Sequence, residues 1–336
     1  MNEIKTLKIH CLSETLSPLT HMMGVSGNEA LINRTKVASG GQIYDVPMLS
    51  GNAIRHKMIR EPGALFLLSA CGLVEEKDGH IVGKLNVDQA NFLFYGGSLT
   101  ESSISDNLKK IAEMQELLPL IRLLGGSLKN QVIAGSLLVS MGSLICEENK
   151  ETLSKIMPFD LPLLRSCEDY VSSWQYTRGD ASKMPELLKD DTELDDKSNL
   201  MIYCGQHVIP GAMFYHSFIL QKVSRLEAGA LYAALQDWQK LGGGIMGGSG
   251  RIGHGKMDTD IYVEGSNFFG DEIGLEACAS EYREHTRKNA DKIVAWLNEC
   301  FPARAPKATK SKTKKPAGLD DSEKMQMNIL AEAQND

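Results

Sequence analysis

Eight glycines fall in the sixteen positions from Gly242 to Met257 (GGGIMGGSGRIGHGKM), interleaved with Arg251, His254 and Lys256. Glycine lets a ligand's backbone approach peptide N–H groups closely, and fixed cations beside such a loop suit a polyanion. Gly247, Gly248, Ser249, Gly250, Arg251, Gly253, His254 and Lys256 are therefore candidate phosphate contacts. Two enzyme motifs are matched in letters only. Gly248-Ser249-Gly250-Arg251-Ile252-Gly253 fits the dinucleotide fingerprint, and Gly250 to Lys256 fits GxxxxGK. Both motifs need a strand before the loop and a helix after it, whereas here the pattern gives a helix before and a strand after. Met257 also stands where a phosphate-binding loop would place a magnesium-holding hydroxyl. A plain structural turn is the competing account of so much glycine.

A second cluster of cations runs from Arg34 to Arg60, with Arg34, Lys36, Arg55, Lys57 and Arg60. In VPMLSGNAIRHKMIRE, Pro47 sets an extended entry, Ser50 suits an N-cap, and Ala53, Ile54 and Met58 have helical spacing. A helix starting at Ser50, Gly51 and Asn52 would aim free N–H groups and partial positive charge outward, with Arg55, Lys57 and Arg60 along its flank. The bland alternative is the wet face of an amphipathic helix.

Other chemistry finds less support. The eight histidines show no HExxH or paired spacing, so no metal is expected. Seven scattered cysteines without a CxxC pair fit a reduced, cytoplasmic protein. The N-terminus lacks an apolar signal stretch and no run approaches the length of a membrane span, so no membrane is expected. The formal net charge of −7 disfavours diffuse nucleic-acid affinity and requires any phosphate-binding cations to be concentrated.

The elements that must position these groups follow from periodicity. Ile4 to Cys11 alternates as a first strand, and His21 to Asp45 lacks periodicity and suggests an irregular or hairpin-like excursion. Residues 86–145 look mostly helical, although Leu137 to Gly142 suits a buried strand equally well. Tyr170 to Asn199 is polar and acidic, an exposed insertion. HVIPGAMFYHSFILQKV is a buried strand. RLEAGALYAALQDWQKL is a helix with Leu226, Ala230, Leu231, Ala234, Leu235, Trp238 and Leu241 on one face. A strand over KMDTDIYVEG and a long helix near Leu275 to Glu299 follow. Residues 302–336 form a basic, polar tail with the composition of a disordered segment. The fold class is α+β, helices against a mainly antiparallel sheet.

Two separated motifs carry a resemblance. Val46 to Glu61 resembles the first-helix motif of the RAMP-superfamily backbone subunits of CRISPR effector complexes. Val208 to Leu220, the following helix and the Gly242–Met257 loop resemble that superfamily's penultimate strand, second helix and C-terminal glycine-rich loop. Order and spacing agree over roughly residues 1–264, and the type IV backbone subunit is the most similar. The resemblance implies a ferredoxin-like, RRM-related palm with antiparallel sheet over residues 1–301, a helical insertion near 86–145, and an extended thumb hairpin near 167–205. It implies a non-catalytic protein without cofactor that polymerises along guide RNA (crRNA), beside further copies of itself and other effector subunits. The guide is then presented for pairing with complementary target DNA or RNA. The rivals are a guide-directed endoribonuclease of the type III kind using Asp45 or Glu29, and a nucleotide-binding enzyme using the glycine loop. Trp174, Tyr176 and Tyr44 are possible base-stacking groups.

Overall fold

Alternate side chains of the Lys5–Thr15 strand, from Leu7 through Ile9, Cys11 and Ser13 to Thr15, are buried, which places this strand at the centre of a sheet. The computed structural model describes residues 5–26, 29–78, 80–99, 108–178, 201–264 and 272–303. The central strand pairs antiparallel with Met257–Glu264 on one side and Met213–Val223 on the other. Met213–Val223 in turn pairs with Leu137–Val139 and Gly142–Leu144, beyond which lie Gln42–Leu49 and, at the edge, Arg34–Ser39. A helical segment over 51–70 connects the first strand toward the second, and Arg225–Lys240 connects the third to the fourth. The result is β-α-β-β-α-β with two interleaved crossovers, the ferredoxin-like arrangement with an antiparallel sheet. One compact unit spans Met1–Phe301.

The Arg225–Lys240 helix begins at Ser224, whose hydroxyl accepts from the Glu227 N–H while the Glu227 carboxylate receives the Ser224 N–H in return. The sequence pattern gives this helix one apolar face, but Ala228, Gly229, Ala230, Ala233 and Ala234 are all buried. The Glu272–Lys288 helix lies against its second side, and a Cβ on Gly229 would collide with the Cys278 carbonyl. Small residues there let two helices approach closely, which single-face counting does not register. Leu241, expected on the apolar face, is 83% exposed past the helix end.

Two further departures concern boundaries. The expected helical insertion at 86–145 is helical only as far as Pro119–Leu124. Gly126–Leu128 and Gln131–Ile133 form a hairpin, and Leu137–Val139 and Gly142–Leu144 join the main sheet. Pairing with a buried neighbour decides the ambiguous apolar run in favour of strand. The single helix expected near Leu275 to Glu299 is two, Glu272–Lys288 and Ala290–Cys300, separated at Asn289. For His21 to Asp45 the hairpin-like alternative holds: Met22–Ser26 and Glu29–Ile32 pair antiparallel in a second sheet, and Arg34–Ser39 pairs antiparallel with Gln42–Leu49 in the first.

That second sheet has the order Val171–Arg178, Met201–Val208, Glu29–Ile32, Met22–Ser26. Its first two strands pair antiparallel over eight residue pairs, from Val171 with Val208 to Arg178 with Met201, and form the stem of the region expected as the thumb. The acidic stretch at 186–196 and the tail beyond residue 303 lie outside the described residues. Among the described residues, no helix is long and apolar enough to cross a membrane.

His216 sits in the middle of the main sheet, 1% exposed, with Nε2 3.1 Å from Ser13 Oγ, which lies 2.7 Å from Thr259 Oγ1. Its Nδ1 is buried without a partner. Burial lowers its pKa from 6.5 to about 3. A depressed histidine pKa means the unfolded chain takes up a proton that the fold refuses. Its stabilising contribution is complete above pH 6.5 and falls as pH drops toward 3. Urea unfolding at pH 7 and pH 5 is expected to show a loss of about 2 kcal/mol from this residue. His216→Asn should flatten that slope.

Candidate nucleic-acid interface

The crossing segment Leu19-Thr20-His21 brings the candidate residues together. Leu19 and Val208 exchange backbone hydrogen bonds at 2.8 and 2.9 Å, which anchors the base of the hairpin. The Thr20 carbonyl accepts the Gly248 N–H at 2.7 Å, and the Thr20 hydroxyl lies 2.8 Å from His254 Nδ1. His21 Nε2 accepts the Ser50 N–H at 3.1 Å, and the His21 carbonyl accepts from Asn33 N–H at 2.7 Å. The glycine loop and the start of the 51–70 helix are thus fixed to adjacent residues of one buried strand of chain. Burial lowers the His21 pKa and keeps the imidazole in the neutral form that can accept this bond.

Within the glycine loop the chain itself consumes much of the backbone. The N–H groups of Met246, Gly248, Ile252, Gly253, His254, Gly255 and Met257 donate to carbonyls, and that of Lys256 donates to Ser17 Oγ. Gly247 and Gly255 have φ of +77° and +88°, and a Cβ on either would strike the carbonyl of Thr20 or Met246. Gly248 donates to Thr20 and so does not offer its N–H to a ligand. Ser249 adopts φ +60° and receives the Ile252 and His254 N–H groups. What the loop does expose is charge. Gly250, Arg251, Gly253 and Lys256 lie on the surface, and among the described residues no ion pair engages Arg251 or Lys256. The preceding helix and following strand keep the order that dinucleotide and phosphate-loop sites would reverse.

At the helix start, Ser50 caps with its hydroxyl, accepting from Ala53 N–H at 3.2 Å, so both of its polar groups are in use. Gly51 packs against the Val139 carbonyl, where a Cβ would come within 3.1 Å. Asn52 is exposed. The segment Arg55–Arg60 is wound as a π-helix, which sends its cations to different sides. Lys57 pairs with Glu61 at 2.7 Å beside a cavity of about 700 Å³ that also contains Asp237 and Arg283. Arg55 and Arg60 line a separate cavity of about 450 Å³ together with Asn52, Tyr95, Gly96 and Gly125. Among the described residues none lining it is acidic.

Arg60 is 6% exposed; its Nη2 donates to the Gly125 carbonyl at 2.9 Å, and its Nη1 is buried with no partner. Nε of Arg55 is likewise buried and unpartnered. Burial, then the Arg55 charge, lowers the Arg60 pKa to about 10, leaving it protonated at neutral pH. Two charged, partly dehydrated guanidiniums facing a cavity without a carboxylate lack a counter-charge, and a bound oxyanion would supply it. Tyr95, 72% exposed, lies parallel to the His56 ring at 5.8 Å at the cavity mouth. Tyr95, Gly96 and Gly125 could not be picked out from the sequence, because only tertiary contact places them beside the arginines.

The other cations are committed. Arg34 forms an ion pair with Glu168 and donates to the Asp45 carbonyl at 2.8 Å, and Lys36 pairs with Asp45 at 3.2 Å on the exposed hairpin. Asp45 lies in the main sheet and Glu29 in the second sheet, opposite Cys204. Among the described residues no group of three His, Cys, Asp or Glu could hold a metal ion.

The glycines of the loop divide into two kinds, and substitution separates them. Gly247→Ala should cost at least ~1 kcal/mol more unfolding free energy than Gly253→Ala. Both have positive φ, but only Gly247 faces a carbonyl while Gly253 has open space around it. Chemical denaturation of the two variants checks this.

No protein-family model matches the chain, and no curated protein sequence matches it. Among solved structures, a chain of a "Type IV-B CRISPR Complex" is similar with a TM-score of 0.51 and 16% sequence identity, over 76% of this chain and 90% of that one. At that identity the likeness is one of fold.

Proposed function

We propose that this protein is a non-catalytic subunit of a CRISPR effector complex that grips guide RNA by its ribose-phosphate backbone and presents it to complementary target DNA or RNA. The observation that carries the reading is the Arg55–Arg60 pair, two guanidiniums on one cavity with buried, unpartnered nitrogens and no carboxylate beside them. Phosphodiesters match that demand, since a guanidinium donates in the fork geometry a phosphate accepts. The exposed Arg251 and Lys256, tied to the same helix start through Thr20 and His21, extend the cationic track. Contacts of this kind are indifferent to base sequence and leave target choice to base pairing. The fold likeness to a chain of a Type IV-B CRISPR complex supports membership of such an assembly, with further copies of this chain and other effector subunits as partners.

The absence of catalysis belongs to the same proposal. Asp45 is held by Lys36, Glu29 lies in a different sheet, and the loop's peptide donors at Gly248 and Gly253 are used internally.

Fluorescence anisotropy with single-stranded RNAs of unrelated sequence tests it. Arg55→Ala and Arg60→Met should each weaken binding by a similar factor for every sequence, and flatten the log–log salt dependence by about 0.7 per phosphate contact removed. Lys36→Ala and Lys57→Ala, whose partners are Asp45 and Glu61, should change it far less. Affinity and salt slope unaltered in both arginine variants would refute the track. Complementary labelled RNA incubated with the assembled complex and a divalent metal should stay intact.

A further inference from the structure

The base of the hairpin carries an array of rings that the cationic track does not use. Trp174 and Tyr176 lie two residues apart on one face of the Val171–Arg178 strand, parallel within 12° at 5.2 Å. Tyr203 stands opposite Tyr176 in register and continues the stack at 5.2 Å and 17°. Opposite Trp174 is Gly205, where a Cβ would come within 2.9 Å of the indole, so glycine is what lets the ring lie flat over the neighbouring strand. His254 of the glycine loop meets Trp174 edge-on at 6.3 Å, and His207 lies 6.0 Å from His254.

Burial lowers the pKa of both histidines, and their mutual repulsion lowers His207 further, so both rings are neutral at physiological pH. Indole Nε1 of Trp174 and Nδ1 of His207 have no hydrogen-bond partner. Tyr176 is 45% exposed. The stack stands beside the loop that carries Arg251 and Lys256, both exposed and neither in an ion pair among the described residues.

We infer that the Trp174–Tyr176–Tyr203 face, bordered by His254, is a stacking surface for unpaired nucleobases of a single strand whose phosphates are held by Arg251 and Lys256. This rests on the RNA-binding reading and adds to it a base-contacting surface on a different element. Planar rings recognise bases by their π-faces, so the surface tolerates any sequence and rejects bases already stacked inside a duplex.

Tryptophan emission offers a direct probe, because Trp238 and Trp296 are each 3% exposed in the core. The full-length protein is titrated with three strands of one length: oligouridine, an abasic ribose-phosphate strand, and a duplex. Oligouridine should quench the emission, and the quenching should vanish in Trp174→Phe, whereas the abasic strand and the duplex should leave it nearly unchanged. In anisotropy, Trp174→Ala should weaken oligouridine binding about tenfold and abasic binding little, with Trp174→Phe restoring most of the loss. A variant that merely loosened the hairpin would weaken both strands equally, and that result overturns the inference. RNA binding that survives with Trp174 emission unmoved also overturns it while leaving the arginine track standing. No RNA binding at all removes both.

Discussion

Three consecutive residues, Leu19, Thr20 and His21, hold the proposed RNA-binding face in register. Leu19 and Thr20 are essentially inaccessible, and their backbone is spent on the hairpin through Val208 and the glycine loop through Gly248, while the His21 carbonyl takes the edge strands through Asn33. His21 adds the helix start through Ser50. A buried backbone group must find a partner, so each bond costs the fold if it is lost and none can be traded for water. The elements that carry Arg55, Arg251 and Trp174 come from distant parts of the sequence, and this segment fixes their spacing.

The glycine loop illustrates how the same residues can be structural and functional in different atoms. Its glycines are required because carbonyls of Thr20 and Met246 stand where side chains would go, and because several positions need positive φ. Most of the peptide donors from Met246 to Met257 are consumed by this folding. Its exposed charge resides in the side chains of Arg251 and Lys256, carried at fixed positions on that backbone.

Charge on this protein is sorted by pairing. With a net charge of −7, the chain satisfies Arg34, Lys36 and Lys57 with Glu168, Asp45 and Glu61, which quenches them as sites for a polyanion. Arg55 and Arg60 are treated in the opposite way: partly dehydrated, placed near each other and given no acid. The π-wound turn between them separates Lys57 from the two arginines, so a run of four cationic or titratable residues in sequence becomes two unlike surfaces. That contrast distinguishes a wet helix face from a poised site.

Much of the palm was legible in the sequence. Alternation in Met213 to Val223, the capping box at Ser224 and the helical spacing from Arg225 to Lys240 are local properties, set by side-chain period and by the first turn's need for hydrogen-bond acceptors. The cations and glycines of the two motifs were visible for the same reason. Which cations remain unpaired was not, since Glu168 lies 134 residues from Arg34 and Gly125 lies 65 from Arg60. Nor could spacing show that Leu137 to Leu144 is strand, because that depends on the neighbour it pairs with. Sequence by itself determined the element types and the inventory of charged and flexible residues. Tertiary structure alone decided which of them are neutralised, because ion pairing and desolvation depend on distances between atoms that the chain brings together only on folding.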